Sequence, residues 1–286
     1  PRALSPHASS RLAKARRRTR VRGLQRRIAR GLEPAGSFLP HRTPATAPAP
    51  SDGLAPLFAA ARPAFADLAR RIEACGPAFA CFGGPAPAPR FAQDWFTGLD
   101  AAALYTLLRE ARPARLVEIG AGHSTRIAAR AIADGGLATA HLAVDPTPRA
   151  PLATLPVTLR RMPAQALDPS VVEKLGAGDV LFVDSSHVLV AGSDVDYVFT
   201  ELVPRLRAGV LLHFHDVFLP EPYPRAWAWR GYNEQAAVAG LVAGGFELIF
   251  ASRWVRRRAP ELLGSVARDL PLPPGAFETS LWLRRC

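Results

Sequence analysis

The stretch Leu116-Val-Glu-Ile-Gly-Ala-Gly-His-Ser-Thr125 constrains this chain more than any other. Leu116, Val117 and Ile119 form a short apolar run of the kind a buried strand uses, interrupted by Glu118. Gly120-Ala121-Gly122 follows as a tight turn. Ser124 is placed to cap the helix expected over Arg126 to Ile132. Strand, glycine turn and helix in that order let a ligand lie against bare backbone at the positive end of a helix. A dinucleotide fingerprint would need glycine at position 125, where Thr125 stands. Glu118 also suits a cationic ligand better than a pyrophosphate.

The rest of the chain repeats the alternation. Strands are expected over 141–145, 157–160, 179–184, 209–215, 246–250 and 277–283. Helices are expected over 168–175, 194–206 and 233–242. With the strand over 116–119, this predicts a Rossmann-like α/β fold. Its seven-stranded sheet is mostly parallel, with helices on both faces and the last two strands as an antiparallel edge pair. Ahead of it, helices over 54–75 and 100–110, the second capped by Asp100, predict an N-terminal helical cap at residues 51–112. Residues 113–286 form the α/β domain. Ligands of such sheets sit at the carboxyl ends of the strands.

Two clusters of titratable side chains fall at such ends. Asp184-Ser-Ser-His187 follows the fourth strand, and His213-Phe-His215-Asp216 closes the fifth. If the two strands are neighbours, these groups meet at one rim, where they would be costly in a core and useful in a site. His213 and His215 share a face, because strand side chains alternate. An imidazole there suits proton abstraction from an alcohol or phenol. Two carboxylates suit a divalent cation, which lowers a hydroxyl's pKa to the same end. His187 is the expected base. His215 is expected to orient it or to be a ligand, and Asp184 and Asp216 are candidate metal ligands.

Glu118-x-Gly120-x-Gly122 resembles the first motif of class I S-adenosylmethionine-dependent methyltransferases. With Phe91 to Phe96, Gly178 to His187, Gly192 to Tyr197, Pro204 to Gly209, His215-Asp216 and Tyr232 to Gln235, most of residues 90–250 resembles bacterial members of the Methyltransf_24 type. The resemblance implies S-adenosylmethionine as cofactor, held by Glu118, Gly120, Gly122 and Ser124. It makes Asp145 the ribose contact, and either Gln165 or Asp168, after the third strand, is placed to meet the adenine edge. It implies methylation of a hydroxyl on a small-molecule or glycan acceptor. Related sugar O-methyltransferases use an Asp-x-x-His segment for Mg2+ and base, which Asp184 and His187 match. Those enzymes carry an acidic pair after the fifth strand, where this chain has His215-Asp216. The Pro/aromatic stretch 218–224, with Trp227 and Trp229, is either a lid over the acceptor or satellite packing. Trp95 and Phe96 are expected to cover the same cleft.

Charge separates an arm from this body. Residues 1–50 hold twelve Lys and Arg against Glu33 alone, so nearly all of the net charge of +12 lies there. Leu24, Ile28 and Leu32 at helical spacing allow a short basic amphipathic helix touching acidic lipid or nucleic acid, against the plainer reading of a disordered tail. No apolar run reaches membrane-span length, and no apolar segment follows the basic residues as in a secretory signal. Cys75, Cys81 and Cys286 match no zinc spacing and read as reduced thiols, which with the soluble composition places the protein in the cytoplasm. Two other functions stay open: a nicotinamide-dependent oxidoreductase on the same fold, and a non-catalytic binding protein docked through its basic arm.

Overall fold

The computed structural model describes Thr19, Gly23 and residues 50–286. The expected basic arm therefore lies almost wholly outside the described residues. The chain divides into two compact units; the larger holds Ala49–Pro222 and Asn233–Cys286, and Tyr223–Tyr232 belongs to the other.

The larger unit begins with α1 (Ala55–Ala60), α2 (Arg62–Ala74) and α3 (Gly76–Phe79). The single helix expected over 54–75 is broken at Ala61, just before Pro63, because proline is tolerated in a first turn and not within a helix. Phe58, Phe65, Leu68 and Ile72 turn inward as the spacing predicts, while Leu57 stays exposed. α4 (Leu99–Ala111) is buried without a break from Leu99 to Leu108.

The sheet follows: β1 (Arg115–Ile119), α5 (His123–Asp134), β2 (Ala140–Val144), β3 (Thr158–Arg160), α6 (Ser170–Glu173), β4 (Val180–Val183), α7 (Asp194–Tyr197), β5 (Leu211–Phe214), α8 (Gln235–Ala243), β6 (Phe246–Ala251), α9 (Ser252–Arg258), α10 (Ser265–Asp269) and β7 (Leu281–Arg285). The seven strands lie in the order β3-β2-β1-β4-β5-β7-β6. β1 to β5 run parallel, and β7 is antiparallel to both β5 and β6. β4 and β5 are buried along their whole length, as strands covered on both faces must be.

Three local expectations are corrected. The helix predicted over 194–206 is α7 followed by a wider π turn (Val198–Leu202) and a 3-10 turn (Val203–Arg205). Pro204 sits in that final turn and denies an α-helix its continuing hydrogen bond. Residues 277–280 pair with no strand, so β7 starts later than its apolar pattern suggests. Asp100 caps nothing: Gly98 is the N-cap of α4, and the Asp100 carboxylate is wholly buried.

The N-terminal helices belong to the same compact unit as the sheet. Phe65 of α2 packs edge-on against Phe250 of β6 and Trp254 of α9, with centroids 6.0 and 5.3 Å apart. Asp100 accepts the backbone N–H groups of Thr279 (2.8 Å) and Ser280 (2.9 Å), just before β7. Glu278 accepts from the N–H of Leu99 (2.7 Å) and binds the Arg256 guanidinium through both oxygens (2.7 and 2.8 Å). No helix among the described residues is long and apolar enough to cross a membrane. The three cysteines are unpaired.

Candidate active site

The glycine turn lies at the carboxyl end of β1, in the middle of the sheet. Gly120 has φ +91°, and a Cβ there would run into the carbonyl oxygen of Asp184 at the end of β4. Only glycine fits both the left-handed backbone and that approach. Gly122 differs: its φ is −178°, and a Cβ on it would meet nothing within 4 Å. It therefore borders open space at the N-terminus of α5, a cradle suited to a ligand. Ser124 is not the cap expected of it. Gly122 holds the N-cap position, and the Thr125 hydroxyl accepts the Gly122 N–H at 3.0 Å. Thr125 closes the turn from inside the helix, while Ser124 is buried in the first turn.

Asp145 follows β2 beside this turn. Its two oxygens accept the N–H of Ala121 (2.8 Å) and of Thr147 (2.7 Å). A carboxylate has about four acceptor sites, so these bonds leave capacity for ribose hydroxyls. Asp145 thus braces the glycine turn, a role its strand-end position alone did not announce. Glu118 is oriented otherwise. Its side chain is wholly buried, and Oε2 lies 2.8 Å from Nε2 of His141 on β2. Since Leu116 stands opposite His141 in the register, Glu118 and His141 are diagonal neighbours on one face. Glu118 therefore sits within the sheet layers rather than at the open space beside Gly122, and its Oε1 has no hydrogen-bond partner. Gln165, in the turn after β3, is exposed and donates to the Gly192 carbonyl at 2.9 Å.

The second cluster converges as its sequence positions predict, because β4 and β5 are parallel neighbours. His187 Nε2 lies 3.3 Å from Asp184 Oδ1 and 3.5 Å from Asp216 Oδ2. His215 Nδ1 lies 3.5 Å from Asp184 Oδ1 and 3.7 Å from Asp216 Oδ1. Both imidazoles are anchored at their other nitrogen by a carboxylate the sequence reading did not assign: His187 Nδ1 to Glu234 at 2.8 Å, and His215 Nε2 to Asp100 at 3.1 Å. His187 (φ 62°) and Asp216 (φ 56°) both hold left-handed backbone, uncommon for side-chain-bearing residues and concentrated at functional sites. Asp184 is the open member, its side chain 30% exposed against 4% for each histidine.

Electrostatics follow from the neighbours. Burial pushes the Asp184 carboxyl upward, but His215 and His187 outweigh it and hold the group well below the usual carboxylate range. Burial likewise opposes charge on His215. The carboxylates of Asp184, Asp216 and Asp100 outweigh that and hold its pKa well above the ordinary imidazole value. His213 goes the other way: burial and the adjacent His215 keep it neutral. It stacks on Phe182 at 3.9 Å and reaches the Ser280 hydroxyl at 2.9 Å, so it is a packing residue. Phe96 is core as well, 5.1 Å from the His215 ring, whereas Trp95 is half exposed beneath the Arg149 guanidinium at 4.8 Å. In the other unit, Arg230 lies 3.9 Å over Trp227, a stacked pair within the Pro/aromatic stretch.

Among the described residues, no group of three or more His, Cys, Asp or Glu side chains is placed to hold a metal ion. Asp184 and Asp216, the candidate ligands, face His187 and His215 instead.

A parallel five-strand sheet with an antiparallel β7 between β5 and β6, and an acid-flanked glycine turn at its centre, defines a Rossmann-like fold. Residues 117–217, the segment from β1 through the end of β5, match the family described as a methyltransferase domain. That segment is therefore similar to a methyltransferase domain. No curated protein matches its sequence. Among solved structures it is similar to the SAH-bound Podospora anserina methyltransferase PaMTH1, at 17% identity and a TM-score of 0.41, over 88% of this chain and 99% of that one.

Proposed function

We propose that the chain is a class I S-adenosylmethionine-dependent methyltransferase that methylates a hydroxyl group on a small-molecule or glycan acceptor, with His187 as general base. The observation that carries this reading is the buried Glu234–His187 pair, 2.8 Å apart, set against Asp184 at the strand ends. S-adenosylmethionine supplies a methyl group on a positively charged sulfur. An alcohol attacks such a carbon well only as its proton leaves, and that needs a base. Asp184, the exposed member of the cluster, accepts the hydroxyl's hydrogen bond and positions it. The proton passes to His187 Nε2, 3.3 Å behind. Asp216 stabilises the imidazolium that results. The methyl group goes to the acceptor oxygen, and the sulfur keeps the electron pair of the broken bond.

On the cofactor side, Gly120 and Gly122 supply bare backbone, the first turn of α5 holding Ser124 supplies N–H dipoles, and Asp145 supplies ribose acceptors. Gln165 borders the adenine end. Glu118 acts from within the sheet, through the strand it anchors. No step is assigned to a divalent cation.

The test is transfer of labelled methyl to a panel of hydroxyl acceptors, with His187→Ala as comparison. Turnover should fall by about 10²- to 10⁴-fold, the usual contribution of a general base. Affinity for S-adenosylhomocysteine should hold. Full turnover in His187→Ala would remove the base assignment, and tight NAD(H) binding without S-adenosylhomocysteine binding would remove the cofactor assignment.

A further inference from the structure

Resting on the reading of His187 as the base, we infer that Glu234 is a positioning residue that fixes which ring nitrogen of His187 works. Glu234 comes from the segment just before α8, on the far side of β5 in sequence from Asp184. Its side chain is 1% exposed, and Oε2 lies 2.8 Å from His187 Nδ1. An ionised carboxylate can only accept, so the Nδ1 atom bonded to it carries the hydrogen. In the neutral ring the lone pair then lies on Nε2, which faces Asp184 and Asp216 at 3.3 and 3.5 Å. The opposite tautomer would turn an N–H toward these carboxylates and leave no lone pair on that side to take a proton. A carboxylate at the distal nitrogen also steadies the imidazolium that forms, the logic of a catalytic triad's third member.

The backbone enforces the pairing. His187 stands at φ 62°, and its carbonyl accepts the N–H of both Asn233 (3.1 Å) and Glu234 (3.3 Å). The Asn233 side chain accepts the Leu189 N–H at 2.6 Å and donates to the Leu189 carbonyl at 3.1 Å. Asn233-Glu234 therefore grips 187–189 from both sides, and the Glu234 carboxylate is delivered to the ring by the same grip. Among the described residues the Glu234 carboxylate bonds to the His187 ring through Oε2, and its Oε1 atom finds no hydrogen bond.

The experiment compares wild type with Glu234→Ala and Glu234→Gln on three readouts. The first is the nitrogen-15 shifts of the His187 ring. Wild type should show the Nδ1–H tautomer, Glu234→Ala a mixture, and Glu234→Gln, whose amide can turn an N–H toward Nδ1, a shift toward the Nε2–H form. The second is kinetics. The kcat of Glu234→Ala should fall by up to about 10⁴-fold, the loss when a triad's acid no longer sets the tautomer, with KM for S-adenosylmethionine within about two-fold. Glu234→Gln should fall as well, because its amide can present an N–H to the ring. The third is the double variant with His187→Ala, in which the Glu234 change should cost no further turnover. Wild-type kcat in both Glu234 variants, or an Nε2–H tautomer in the wild type, overturns the inference. The ring spectrum needs no acceptor, so the inference is tested even if methyl transfer to hydroxyls fails. If Glu234→Ala does not fold, the near-isosteric Glu234→Gln must still lower kcat several-fold, and unchanged kcat refutes the role.

Discussion

Alanine at Gly120 and alanine at Gly122 should do opposite things, although the two residues share one turn. At Gly120 the backbone is left-handed (φ +91°), and the new methyl would strike the Asp184 carbonyl oxygen. That carbonyl cannot readily yield, since the Asp184 N–H is tied to the Ile119 carbonyl at 2.9 Å. The left-handed backbone costs about 1–2 kcal/mol for a residue with a Cβ. Forcing a methyl into a packed contact adds about 1–3 kcal/mol. Gly120→Ala should therefore lose about 2–5 kcal/mol of stability in urea unfolding, and its Tm should fall by about 2–4 °C for each kcal/mol. At Gly122 φ is −178° and no atom lies within 4 Å of the new methyl, so stability should stay within about 0.5 kcal/mol of wild type. That methyl enters the proposed cofactor space. Calorimetry with S-adenosylhomocysteine should show at least a ten-fold loss of affinity for Gly122→Ala, about 1.4 kcal/mol. Unchanged affinity in Gly122→Ala would mean that the cofactor does not lie against this turn. Wild-type stability in Gly120→Ala would mean that the turn does not pack on β4 as described.

Other outcomes follow from the same geometry. Asp145→Ala removes the brace on Ala121 as well as the ribose acceptors, so it should weaken S-adenosylhomocysteine binding and also cost about 1–3 kcal/mol in urea unfolding; full retention of both would remove Asp145 from the site. Dialysis against a chelator should leave methyl transfer unchanged, and loss of activity restored by Mg2+ would reinstate the metal. His123 is held down to about 4 by burial, with Arg126 and Arg90 adding to it. Its folded pKa lies below the unfolded value, so the unfolded state binds the proton more readily and stability falls as pH drops from about 6.5 toward 4. His123→Gln should flatten that fall in urea titrations, and an unaltered slope would show that another group carries it.

Much of this was legible in the residues themselves. The order of strands and helices gave the sheet, and strand-end positions brought Asp184, His187, His215 and Asp216 together. The partners were harder to read. Asp100 looked like a helix cap because it precedes an Ala/Leu run, and its role depends on Thr279 and Ser280, about 180 residues later. A charge inside an otherwise apolar helix start was the available signal. Glu234 carried no local signal beyond its place in Tyr232 to Gln235, outside the matched residues 117–217. Glu118 and His141 pair only through the β1–β2 register, which spacing along one chain does not reveal. Thr125, read first as a missing glycine, supplies the oxygen that closes the turn.

The Asp100 carboxylate has a consequence for modularity. It joins the start of a helix laid down before the first strand to the last strand and to a ring at the heart of the cluster. A fragment starting near residue 113 would retain Gly120, Gly122, His187 and His215, yet His215 would lose its anchor and the segment before β7 its tether. Grafting this α/β body onto the leading helices of a relative should yield a working hybrid only when the donor brings an equivalent acid to that spot.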